Sequence, residues 1–173
     1  MENITQACIY VGTYTKYNNG SLSGQWLNLL DYSDKDEFYN ACKELHNEEE
    51  DPEFMFQDWE NIPSDYIGES FVSEEIFKII ELAGDLSEPE QEAFSIWLTY
   101  TGVSPNDAES LIADFQCEYQ GKYESEEDFA YEIITDCYDL PEFAKTYFDY
   151  DKFANDLFRF DYWFGNGFVF QNS

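Results

Sequence analysis

The sequence predicts a mixed α+β fold: an elongated chain of three small packed units. These are an N-terminal sheet with helix, a central helical stretch, and C-terminal helices with a small antiparallel sheet. Three observations predict it. Short β-branched and aromatic runs, the residue types that suit a pleated surface, stand near both ends. Through the middle, apolar residues recur at helical spacing. Finally, 20% of the 173 residues are aromatic (16 Phe, 14 Tyr, 4 Trp), and each can bury on the order of 150–250 Å². A core is therefore affordable even with 38 acids against 8 bases and a net charge of −30.

The first unit is expected over residues 1–63. Ala7 to Gly12 reads as a strand, Tyr17-Asn18-Asn19-Gly20 as a turn, and Gly24 to Leu29 as a second strand, a hairpin signal with a long connection. Ser33 is the expected cap of a helix from Asp34 to Asn47, with Asp36 and Glu37 in its first turn and Phe38, Ala41, Cys42 and Leu45 on its apolar side. Pro52 interrupts that pattern, and Phe54 to Trp59 reads as a third strand. His46 has no His or Cys at ligand spacing and reads as a helix-surface residue.

Residues 64–103 read as helical. Ile76, Phe77, Ile79, Ile80 and Leu82 follow Ser73 and stop at Gly84. Ser87 and Pro89 start the next helix, with Pro in the tolerated first turn, and Gly102 ends it. The third unit, residues 104–173, opens at Ser104-Pro105 with a helix bearing Ala108, Leu111, Ile112 and Phe115. From Ser125 to Tyr138, Phe129, Ala130, Ile133, Ile134 and Cys137 share one side of a helix; Glu124, Asp128, Glu132 and Asp136 line the other at steps of four. Pro141 begins a short helix to Tyr147, and Tyr150 to Leu157 forms another. Two strands, Phe158 to Phe164 and Phe168 to Phe170, then flank the turn Gly165-Asn166-Gly167. The aromatics from Tyr147 to Phe164 either fill a small core or offer an apolar patch to a second copy.

Cys8, Cys42, Cys117 and Cys137 contain no C-x-x-C pair and read as buried free thiols in a reducing cytoplasm. The acidic start Met1-Glu2-Asn3 is unlike a secretory signal, and no apolar run approaches the roughly 18 residues of a membrane span. No nucleotide loop, G-x-S-x-G elbow or cofactor fingerprint is present, so neither an enzyme nor a cofactor is expected. The densest acidic run, Asp31 to Glu37, lacks the Gly of a calcium loop.

The charge itself is the informative feature. Residues 1–103 hold 22 acids and 4 bases, and residues 104–173 hold 16 and 4, so acidity is spread along the whole chain. A plain solvated surface mixes both signs, and adaptation to high salt also fits the acid-to-base ratio. A third reading is imitation of nucleic acid. Duplex DNA carries one negative charge per roughly 1.7 Å, so thirty charges on one face would match roughly 50 Å of duplex. Carboxylates four apart on a helix recur about every 6 Å. Such rows are Glu74/Glu81/Asp85, Glu88/Glu92, Asp107/Asp114/Glu118 and the Glu124 to Asp136 series. A protein of this kind would fill the basic cleft of a DNA enzyme and would not itself bind DNA.

Ordered segments of the chain resemble the ArdA family of antirestriction proteins. Tyr17-Asn18-Asn19-Gly20-Ser21-Leu22-Ser23-Gly24-Gln25-Trp26 is similar to the family's Y-N-x-G-x-L-x-G-x-W opening. Asp34 to Phe38 and Pro52 to Glu60 are similar to family segments. Leu140-Pro141-Glu142, Tyr147-Phe148-Asp149-Tyr150 and Phe153-Ala154-Asn155-Asp156-Leu157 resemble its antirestriction region, and Asn166 to Phe170 its closing strand. The chain departs at Asn155, where relatives often have Arg, and is shorter between Asp136 and Leu140. The resemblance implies a homodimer formed through the C-terminal region around Leu140, Pro141, Tyr147 to Tyr150 and Phe153. It further implies mimicry of DNA bound to the methyltransferase core of a type I restriction-modification enzyme, carriage on mobile elements, and action in the cytoplasm. The other reading of the same charge is an acidic decoy or chaperone-like module for a different basic DNA-binding protein.

Overall fold

The computed structural model describes residues 3–102 and 108–172, which divide into two compact units, 1–114 and 115–173. The fold is mixed α+β, with helices and three small antiparallel sheets among the described residues.

In the first unit β1 (Cys8–Thr13) is the middle strand, flanked antiparallel by β2 (Gln25–Asn28) and β3 (Phe54–Glu60). The predicted strands are all present. Gly24 admits the chain to this sheet, because a Cβ there would stand 2.3 Å from the Val11 carbonyl oxygen and 2.9 Å from the Tyr10 ring. The predicted turn at Tyr17 to Gly20 is mostly helix: α1 (Tyr14–Asn18) starts from Thr13, whose hydroxyl accepts from the Lys16 N–H, and the turn is confined to Asn19-Gly20. α2 (Lys35–Leu45) is capped by Asp34, one residue after the expected Ser33. Ser33 instead donates its N–H and hydroxyl to Glu37 at 2.7 and 2.8 Å, the return half of a capping arrangement.

A short hairpin, β4 (Ile67–Gly68) and β5 (Phe71–Val72), interrupts the stretch expected to be helical. The main-chain carbonyl of Glu69 in its turn accepts from Phe56 of β3. α3 (Glu75–Gly84) and α4 (Glu88–Thr101) follow the predicted pattern. At α4, Glu90 accepts from the Ser87 N–H and hydroxyl, Pro89 sits in the first turn, and the left-handed Gly102 closes the helix. The core of the unit joins Ile9, Val11 and Phe56 of the sheet to Phe38 on α2 and Phe77 on α3, with Phe38 lying 5.9 Å from each of the other two rings. The buried Ser95 hydroxyl accepts from Ile4 N–H at 2.8 Å and donates to Gln91 O, fixing the N-terminal segment to α4.

α5 (Ala108–Glu118) runs across the boundary between the units; its expected start at Ser104-Pro105 lies outside the described residues. The second unit adds β6 (Tyr119–Lys122), a strand with no periodic signal in the sequence, then α6 (Glu126–Cys137), α7 (Glu142–Thr146) and α8 (Tyr150–Phe160). It closes with β7 (Tyr162–Gly165) and β8 (Phe168–Gln171), in sheet order β6-β8-β7. Asn166 and Gly167, at φ 50° and 89°, form the two-residue loop of the β7–β8 hairpin. Both φ values are positive, as the right-handed twist of a hairpin requires of its turn. Trp163 stacks on Phe170 at 4.1 Å, and Phe129 of α6 meets Tyr162 edge-on at 4.8 Å.

Candidate functional site

The predicted acids fall on helices of both units and at their ends. Glu74 precedes α3, Glu81 lies on it and Asp85 caps its end; Glu88 and Glu92 are one turn apart on α4. Asp114 and Glu118 are one turn apart on α5, and Asp107 lies outside the described residues. Asp128, Glu132 and Asp136 form a row on α6, while Glu124 stands before its Ser125 cap, outside the helix. Of the described acids all are exposed except Glu118, which is half-buried. Glu74, Asp85, Glu88, Asp114, Glu124 and Asp136 make no side-chain hydrogen bond or ion pair with other described residues.

Cations do little to offset this. The first unit has 25 acids and 4 bases, the second 13 and 4. Lys78 pairs with Glu81 at 2.9 Å and Lys145 with Glu142 at 3.1 Å. Lys35, Lys122 and Arg159 lie over the rings of Tyr39, Phe168 and Phe160. The local field is visible at Tyr123, whose phenol is pushed up to about 12 by burial, by its hydrogen bond to Glu132, and by the charges of Glu132 and Asp136.

The second predicted region is aromatic and lies wholly in the C-terminal unit. Pro141 begins α7, Leu140 is half-buried before it, and Asp149 caps α8 by accepting from the Lys152 N–H. Phe143 and Tyr147 are 76% and 75% exposed, with ring centroids 4.9 Å apart. Phe148 meets Tyr150 at 4.9 Å and Phe153 at 5.6 Å, and Tyr150 meets Tyr131 at 5.2 Å. The Tyr150 hydroxyl is buried without a hydrogen-bond partner among the described residues. Of these aromatics Trp163 is buried in the core, whereas Tyr147 and Phe160 face solvent, as does the neighbouring Phe143.

Two expectations are corrected. His46 is 1% exposed, not a surface residue. Its Nε2 faces the Val11 carbonyl at 3.2 Å and therefore carries the hydrogen, leaving Nδ1 to accept from the Lys16 ammonium at 2.8 Å. Lys16 also pairs with Glu48 and Glu49, and the Thr13 hydroxyl donates to Glu49 at 2.7 Å. His46, Glu48 and Glu49 bring ligand-type atoms within 4.8 Å of one another, but the ammonium already stands among them. The thiols are free, as expected, yet only Cys42 is buried; Cys117 and Cys137 are exposed and Cys8 is half-buried. Among the described residues no helix is long and apolar enough to cross a membrane.

One feature went unnoticed in the sequence: a cleft of about 560 Å³ on the open face of the β2-β1-β3 sheet, lined by Tyr10, Tyr17, Leu22, Trp26, Met55, Gln57 and Asp58. Strand register brings Tyr10, Trp26, Met55 and Asp58 together, while Tyr17 on α1 and Leu22 after it come from the connection between β1 and β2.

The fold and surface thus define a strongly acidic α+β protein with a clustered aromatic region near its C-terminus. The profile of the family described as antirestriction protein (ArdA) matches residues 9–170. The chain belongs to the ArdA family of antirestriction proteins, and that membership carries an antirestriction function. No curated protein matches it.

Proposed function

We propose that this protein is a non-enzymatic inhibitor that takes the place of duplex DNA in the basic cleft of a type I restriction-modification enzyme, engaging its methyltransferase core. The observation that supports this most is the set of exposed carboxylates on α3 to α6, many with no partner among the described residues, in a family whose function is antirestriction. An uncompensated anionic surface attracts a cleft built for phosphates and repels DNA, so the protein inhibits without binding nucleic acid. It acts in the cytoplasm as a homodimer. The exposed rings of Phe143 and Tyr147 support an apolar contact able to overcome repulsion between two acidic chains.

The deciding experiment is displacement of labelled DNA from a purified type I methyltransferase core across a salt series. Displacement that weakens steeply with salt is expected. Failure to displace DNA, with capture of another basic DNA-binding protein, would replace this reading with the decoy module. Sedimentation of Phe143→Ser with Tyr147→Ser is expected to give a monomer.

A further inference from the structure

The cleft on the open face of the first sheet has a composition unlike the rest of the surface. The register sets Trp26 of β2 opposite Tyr10 of β1, and Tyr10 opposite Asp58 of β3, so two rings and a carboxylate form one row across three strands. The pairing shifts between Tyr10 and Val11, a bulge that brings Gln57 to the cleft beside Asp58. Tyr10 and Trp26 meet edge-to-face at 5.5 Å. The Tyr10 hydroxyl is committed, donating to Leu22 O and accepting from Gly24 N–H, so the ring is held in place. Trp26 is 39% and Tyr17 49% exposed.

Two polar groups in this cleft lack partners. Asp58 accepts only from the neighbouring Trp59 N–H and pairs with no cation among the described residues. The Gln57 amide nitrogen is buried with no hydrogen-bond partner among the described residues. Aromatic faces present negative potential, and an unpaired carboxylate beside them adds to it. A cation satisfies both. A planar guanidinium fits better than an ammonium, since it stacks on a ring while its N–H fork meets a carboxylate.

We infer that this cleft receives an arginine side chain of the basic protein to which the inhibitor binds, stacked on Trp26 and Tyr17 and paired with Asp58. The partner's identity rests on the function proposed above; the chemistry of the occupant does not.

The test uses the full chain labelled with ¹⁵N, titrated with N-acetyl-arginine amide or N-acetyl-lysine amide at about 0.15 M salt, where distant charges are screened. The Trp26 indole N–H, assigned by Trp26→Phe, reports the cleft. A saturable shift is expected with arginine, at least about fivefold tighter than with lysine, as stacking and forked pairing favour the guanidinium. Asp58→Asn should weaken it about fivefold with the spectrum otherwise intact, whereas Glu127→Gln on α6 should leave it unchanged. A shift that does not saturate, equal response to lysine, or indifference to Asp58→Asn overturns the inference. In the DNA-displacement assay the combined Asp58→Asn and Trp26→Phe variant should lose potency. Equal potency sinks the cleft and spares the function. A wild-type protein that displaces no DNA sinks the function, while the arginine titration still decides the cleft.

Discussion

Two buried residues, His46 and Cys42, show two ways in which the acidic chain keeps ionisable side chains inside. His46 packs beside Phe54, spends one ring nitrogen on a strand carbonyl and offers the other to Lys16. His46→Ala removes that packing and leaves the Val11 carbonyl and the Lys16 ammonium short of partners. A loss of about 2–4 kcal/mol is expected, read from the urea midpoint. Burial pushes the Cys42 thiol from about 9 up to about 12, and burial with Glu132 moves the Tyr123 phenol from about 10 to about 12. Folding therefore favours the protonated forms. Their contribution is complete below pH 9 and is lost as pH rises through about 12. Chemical denaturation at stepped pH should show a plateau and then a decline over that range, shallower in Cys42→Ala. In the sequence His46 has no His or Cys at ligand spacing, and on that alone it reads as a helix-surface residue. What the sequence could not show is that the α2 terminus folds back over β1, where a carbonyl and an ammonium await the imidazole.

Helix ends were the most legible elements and very short strands the least. At α4, Ser87, Pro89, Glu90 and Gly102 each carry a local signal, and the element lies where those signals put it. The Ser87 hydroxyl and then its N–H hold the Glu90 carboxyl below the ordinary range, so this contribution is present at neutral pH and is lost as pH falls through that lowered value. Ser87→Ala should cost about 1 kcal/mol, visible as a lower Tm. The Asn166-Gly167 hairpin was equally readable, because few residues other than Gly and Asn tolerate positive φ at both turn positions. By contrast β4 and β5 have two residues each, too few for any periodicity, and β6 is the largely polar run Tyr119-Gln120-Gly121-Lys122. These strands exist because a partner supplies the other half of each hydrogen bond, information that no local window contains. The acidic row on α6 was legible for the same reason as α4: a period of four on one helix fixes exposure on one face. The Tyr10, Trp26 and Asp58 row was not, since it depends on register between distant segments.

At the scale of the molecule, self-repulsion and recognition respond to salt in opposite directions. Thirty excess charges destabilise the folded state in dilute buffer. Raising ionic strength from roughly 0.01 to 1 M shortens the Debye length from about 30 to about 3 Å. Tm should therefore climb across that series while inhibition of the enzyme weakens; parallel changes would contradict the electrostatic reading of the surface. Charge is also distributed, so single exposed carboxylates are worth about 0–1 kcal/mol each. Asp128→Lys, Glu132→Lys and Asp136→Lys together reverse one face of α6, and should cut DNA displacement by more than tenfold with circular dichroism unchanged, whereas Glu132→Gln alone should cost less than about fivefold.

The order of the strands also has a kinetic consequence. β1 is made first among the strands of its sheet yet sits between the other two, and β8 is made last of its three and also sits in the middle. A ribosome has released β1 well before β3, so β1 keeps an open edge until Glu60 is free, and β6 and β7 lack their shared neighbour until Gln171 emerges. Nascent chains stalled before either point should be readily digested by protease, and trimming only β8 should unravel its unit more thoroughly than removing β7.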